Sequence, residues 1–183
     1  MQKIPIQFKL GTNESSNQKL LPIYNVQTEE KKVAFTMNCA WNADDIDSIL
    51  KTLNDNDVKI TFFMVGDWIE KFPEAVKKIH DAGHEIASHS DTHPHVNKLS
   101  YEKNIEEIEK SNDRIEKITG KRTKIYRAPY GEYNDMVIKA ATDKGYYTIQ
   151  WNLDTLDYTG LTRRRNVETF RRKNQTRRYY FKS

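Results

Sequence analysis

The chain has 183 residues, 37% of them hydrophobic and 31% charged, which suffices for one sizeable core and requires no second one. No apolar run reaches the roughly 20 residues that span a bilayer, so no membrane span is expected in this chain, and the start lacks the apolar centre of a signal peptide. The net charge of +4 is unevenly placed: Arg163 to Ser183 holds seven Arg, two Lys and one Glu, a surplus of +8 that leaves −4 on the body. That body has no basic footprint for nucleic acid, and a lone cysteine, Cys39, excludes an internal disulfide.

Residues 1–30, rich in Asn, Ser and Gln with few apolar anchors, read as an N-terminal extension or linker. One domain is expected over 31–162. Its strands are predicted at KKVAFTMN (31–38), VKITFFMV (58–65), HEIASHS (84–90), KIYRAPY (124–130) and YYTIQWN (146–152). Several are almost continuously apolar, as buried parallel strands are. Helical stripes fall between them. Ile46, Ile49, Leu50 and Leu53 form the first; Pro73 opens a helix carrying Ala75, Val76 and Ile79 that stops at Gly83. Ser100 caps a longer helix with Ile105, Ile108, Ile115 and Ile118, ended by Gly120. Met136, Val137, Ala140 and Ala141 make the last stripe, closed by Gly145.

Five βα-type repeats imply an α/β protein with a parallel sheet or an incomplete (β/α) barrel. In both, functional groups gather where the carboxyl ends of the strands feed loops into one crevice. Asn38 to Trp41, His89 to His95, Arg127 to Tyr130 and Asp154 to Tyr158 all fall there.

All five histidines lie between positions 80 and 95. His80 and His84 flank a helix end and read as structural. His89 and His93, at i and i+4 where a strand becomes a loop, have two readings: a ligand pair for zinc or another first-row divalent ion, or a hydrogen-bonded polar loop. Arg127, with Asp154 or Asp157 as its partner, arrives at the same edge and reads as outer support for a metal site.

Taken in order, TFFMVGDW, GHEIASHSDTHPH, YRAPYG and WNLDTLDY resemble successive motifs of the polysaccharide deacetylases, the NodB-homology carbohydrate esterases, over roughly residues 32 to 162. The resemblance implies a distorted, incomplete (β/α) barrel that removes acetyl groups from an N-acetylated glycan such as peptidoglycan or a chitin-like polymer, at a divalent metal, zinc or cobalt among the candidates. It further implies an extracellular or wall-associated location. His89 and His93 match the metal-binding histidines and Arg127 the arginine that orients the catalytic base. The backbone at Tyr130 matches the donor to the oxyanion, and Asp154 lies in the segment that positions the arginine or the acid histidine. Asp91 reads as a loop cap and His95 as an outer residue.

Two departures stand against the family pattern. Where the family shows two adjacent aspartates, a base and a metal ligand, this chain has Asn38 and Cys39. An amide cannot accept water's proton at neutral pH, so Asn38 occupies the base position without its chemistry. Asp44 becomes the candidate third ligand, against an equally simple role for Asp44 and Asp45 at a helix start; Cys39 as a thiolate would need a lowered pKa. The second departure is the end of the chain. Residues 163–183 have neither helical stripe nor strand alternation and no histidine for the acid role. They read either as a true basic tail or as an out-of-frame end, because permitted codons read one base later encode an amphipathic helix, a Pro-Gly turn and an apolar strand. As a rival function, the same fold could be a carbohydrate-binding module without catalysis.

Overall fold

A computed structural model describes residues 19–26, 32–155, 165, 167 and 168. The readings made of residues 1–18, of Asp157 and of most of the basic tail lie outside them. Five short strands, β1 (Thr36–Cys39), β2 (Thr61–Met64), β3 (Glu85–Ser88), β4 (Ile125–Tyr126) and β5 (Tyr147–Thr148), form one parallel sheet in sequential order. Every crossover steps the same way by one strand, the winding of a (β/α) barrel rather than of a sheet whose order reverses.

The intervening helices are α1 (Ile46–Asp55), α2 (Gly66–Lys71), α3 (Pro73–Asp81), α4 (Tyr101–Thr119) and α5 (Asp135–Asp143). Their ends follow the expected chemistry. The Ser100 hydroxyl accepts from the Lys103 amide at 3.2 Å and Asn134 from the Val137 amide at 2.9 Å, each satisfying a first-turn donor. Gly120 ends α4 with φ of 73°, a left-handed turn that a Cβ would resist. The short helix α2 was not expected, since GDWIEK follows an apolar strand run; it forms because Trp68 and Ile69 turn into the core.

Strand alternation divides the molecule. Cys39, Phe62, Met64 and Ile86 pack with Ile46, Ile69, Val76 and Ile79 on the helix side. A second cluster joins Tyr126, Val96, Ile108, Val137 and Tyr146. Burying each such aliphatic or aromatic side chain contributes about 1.5–3 kcal/mol before entropy. The opposite face of the strands carries the polar residues of the site.

Within the stretch expected to be a linker, residues 19–26 lie against β5. The Ile23 amide donates to the Thr148 carbonyl and the Gln150 amide to the Ile23 carbonyl, both at 2.8 Å, and Ile23 pairs with Ile149 in parallel. The Leu20 amide donates to Asp135 Oδ1 at 3.0 Å. The segment thereby pairs the outer edge of β5, an edge that would otherwise offer unpaired backbone groups.

Candidate functional site

Because side chains alternate along a strand, Asn38 and Cys39 face opposite ways. Asn38 joins the polar face, whereas Cys39 is buried among Ile46, Val65 and Trp68. Burial, reinforced by the charge of Asp45, pushes the Cys39 thiol up to about 12. It is therefore a protonated core residue and no thiolate ligand.

Arg127 leaves β4 on the polar face and ties the strand ends together. Its Nη1 donates to Asn38 Oδ1 at 2.9 Å and to Thr36 Oγ1 at 3.0 Å, and its Nη2 to the Gln150 carbonyl at 3.3 Å. The guanidinium lies 3.8 Å from the centre of the Phe63 ring, a cation held over an aromatic face. Burial lowers its pKa to about 10, with the charge of Asp154 acting in the opposite sense; it stays charged at neutral pH.

His89 follows β3 directly and is buried. Its Nδ1 lies 2.8 Å from the Arg127 carbonyl, which can only accept, so Nδ1 carries the proton and Nε2 the lone pair. Desolvation pulls its pKa down to about 3. His93 sits with its ring centre 5.0 Å from that of His89, and burial, followed by the charge of His95, lowers its pKa as well. Both imidazoles are neutral at neutral pH. The loop between them is strained, with Ser90 and His93 at positive φ of 66° and 59°, and Tyr130 beyond β4 has a φ of 58°, a conformation that non-glycine residues keep only when their surroundings enforce it.

The enforcement comes from α4. Glu107 Oε2 accepts from the amides of Asp91 and Thr92, both at 2.9 Å, and Oε1 accepts from the Thr92 hydroxyl at 2.9 Å. Arg114 Nε pairs with Asp91 Oδ1 at 2.7 Å and also meets Glu70 and Asp67. Asp91 is thus an anchor of the loop rather than only its cap. His95 stacks on Tyr130, centres 4.4 Å apart and planes at 15°, with its Nδ1 2.7 Å from Glu132 Oε1. Expected as an outer residue, it packs against Tyr130 and Glu132. His84 is structural too, its Nδ1 accepting from the Ile60 amide at 3.3 Å.

Asp44, the candidate third ligand, lies in the exposed turn before α1. Among the described residues no three of His, Cys, Asp and Glu come together as a set able to hold a metal ion. Two imidazoles after β3, with an amide at position 38 and the neighbouring thiol turned into the core, do not fit a catalytic ion held by three protein ligands. Sequence reading found Asn38, His89, His93, Arg127 and the Tyr130 backbone, and the structure brings them to one edge. It missed Thr36, Phe63, Glu107 and Arg114; of these, Phe63 was readable from strand alternation, since Phe62 and Phe63 cannot both face the helices.

A family model described as polysaccharide deacetylase matches residues 25–149. The chain belongs to the polysaccharide deacetylase family. Among curated family members, it is 36% identical over 137 residues to the uncharacterized protein YlxY of Bacillus subtilis, covering 75% of this chain and 43% of that one. It is 34% identical over 131 residues to a peptidoglycan-N-acetylglucosamine deacetylase of Bacillus cereus, covering 72% and 48%. The chain thus spans about half the length of these relatives. Among solved family structures, BA3943 of Bacillus anthracis, described as a CE4 family pseudoenzyme, superposes with a TM-score of 0.80 at 34% identity over 84% of this chain and 56% of that one. A BA3943 mutant described as having restored enzymatic activity aligns equally well, with a TM-score of 0.80, 34% identity and coverages of 84% and 56%. The α/β sheet expected of a polysaccharide deacetylase is the one observed.

Proposed function

We propose that this member of the polysaccharide deacetylase family binds an N-acetylated glycan of the cell wall, peptidoglycan or a chitin-like polymer, without hydrolysing it. The observation that carries this reading is the bond from Arg127 to the amide oxygen of Asn38. With its oxygen accepting from Arg127, Asn38 has its NH2 group left to offer, two donors and no base. Such a group can hold the carbonyl oxygen of an acetamido substituent but cannot deprotonate a water molecule. The lone pair on His89 Nε2 and the strained backbone at Tyr130 complete a polar crevice in which a sugar acetamide finds both donors and an acceptor. Asp154 supports Arg127 by its charge. The likeness to a protein described as a pseudoenzyme supports the loss of turnover, and the relatives named as peptidoglycan deacetylases support the choice of glycan and an extracellular, wall-associated setting.

The deciding experiment pairs calorimetric titration of an N-acetylglucosamine tetramer with an assay for released acetate in the presence of zinc or cobalt. Binding with no acetate above the buffer control is the expected result. Acetate released at a rate proportional to protein would overturn the loss of hydrolysis, and absence of binding to both chitin and peptidoglycan fragments would overturn the glycan reading.

A further inference from the structure

We infer that Trp41, with Tyr130, forms a preformed aromatic platform that stacks a second pyranose ring beside the acetamido crevice; this rests on the glycan reading above. Trp41 lies two residues beyond β1 and is 69% exposed, and Tyr130, beyond β4, is 57% exposed. Both meet the same imidazole edge-on. The Trp41 and His93 ring centres are 5.7 Å apart at 65°, and those of Tyr130 and His93 are 4.7 Å apart at 62°. A residue expected to hold a metal therefore serves as the wedge between two aromatic side chains.

The Tyr130 half of the platform is fixed before any ligand arrives. Tyr130 is fixed by its left-handed backbone, by the stacked His95 and by the bond from His95 to Glu132. Two neighbouring aromatic rings left more than half exposed are the kind of exposed apolar surface, rimmed by polar groups, that marks a binding site. The polar groups beside the rings here are the imidazoles of His93 and His95. A pyranose ring matches them, since the sugar's C–H face lies on an aromatic ring while its hydroxyls reach the imidazoles beside it. Rings already ordered lose little conformational freedom on binding.

The test titrates the N-acetylglucosamine tetramer into the wild type, Trp41→Ala and Trp41→Phe, and follows the Trp41 indole N–H by 15N NMR in the wild type. Trp41→Ala should bind at least about tenfold more weakly, the size of one aromatic contact. Trp41→Phe should stay within about threefold of wild type, and the Trp41 resonance should shift with the binding curve. Wild-type affinity in Trp41→Ala, or an indole resonance that stays still at saturation, overturns the platform and leaves the crevice intact. No binding by the wild type overturns both. The NMR readout uses the unaltered protein, so a poorly folded variant cannot mask the answer.

Discussion

Arg127 donates to the amide oxygen of Asn38 at 2.9 Å across 89 residues of sequence, a cation bonded to a neutral partner at the position where the family carries a carboxylate. Burial already lowers the pKa of Arg127 to about 10, so its charge is incompletely compensated. Asn38→Asp supplies the missing charge with almost no change in shape. We expect it to stabilise the protein by about 1–2 kcal/mol at pH 7, the difference between a neutral and a charge-assisted bond. The paired carboxylate would have its pKa depressed in the fold. Its contribution is then present above the unfolded value of about 3.9 and lost as pH falls through the folded one. Urea midpoints of both proteins at pH 7 and pH 3 check this; an equal midpoint at pH 7 would show that Arg127 needs no partner.

Asn38→Asp alone should leave acetate release at background, because it supplies a base without a third ligand. Adding Cys39→Asp places a second carboxylate among Ile46, Val65 and Trp68, where the thiol is held protonated by burial. Without a cation this costs about 3 kcal/mol. A bound divalent ion stabilises only the folded state and offsets the loss in proportion to its concentration over Kd. A carboxylate at position 39 that turns out of the core toward His89 and His93 should let zinc raise the Tm of the double variant by several degrees more than that of the wild type. Equal zinc-induced shifts in the two proteins would mean that residue 39 cannot turn toward His89 and His93.

Acid should weaken the fold through its buried neutral histidines. His84 Nδ1 accepts from the Ile60 amide and the ring lies edge-on to Phe62, centres 5.3 Å apart; burial, then the charge of Lys59, lowers its pKa. A base whose folded pKa lies below its unfolded value of about 6.5 binds its proton more readily when unfolded. Its stabilising contribution is full above pH ~6.5 and lost as pH falls toward the folded pKa, by up to about 1.4 kcal/mol per unit for each such group. His89 acts in the same direction. His84→Gln should consequently flatten the decline in urea midpoint between pH 7 and pH 4.5 without abolishing it. An unchanged slope would exclude His84 from the acid response.

The legible parts were those written in local periodicity. Strand runs, and helices framed by Ser100 and Gly120, gave a parallel α/β arrangement, whose strand order only the structure supplies, and the strand ends gave Asn38, His89, His93 and Arg127. What stayed hidden depends on contacts distant in sequence. Glu107 and Arg114 look like solvated charges on a helical face, and only the packing of α4 beside β3 turns them into anchors of the histidine loop. Ile23 pairs with a strand 126 residues later through backbone atoms alone, which no side-chain pattern announces. Asp44 read as a ligand because its sequence distance to Asn38 is short; the turn before α1 leaves it exposed, and among the described residues it joins no ligand set.

Gly66 shows how tightly the histidine loop is seated. Its amide donates to the Ser90 carbonyl and that of Asp67 to the Asp91 carbonyl, both at 2.9 Å, so the start of α2 lies directly under the loop. A Cβ at position 66 would fall 2.0 Å from Asp91 Oδ1 and 2.9 Å from Asp91 Cα. Asp91 cannot retreat, being buried and paired with Arg114. Gly66→Ala should therefore cost about 2–3 kcal/mol, in the range of an overpacked core. It should also weaken glycan binding by shifting His89 and His93. The control is Gly145→Ala, where φ is +79° and no atom lies within 4 Å; that change costs only backbone strain, about 1 kcal/mol. Urea denaturation of the two variants separates the causes: a loss at Gly66 no greater than at Gly145 would mean that α2 does not brace the loop.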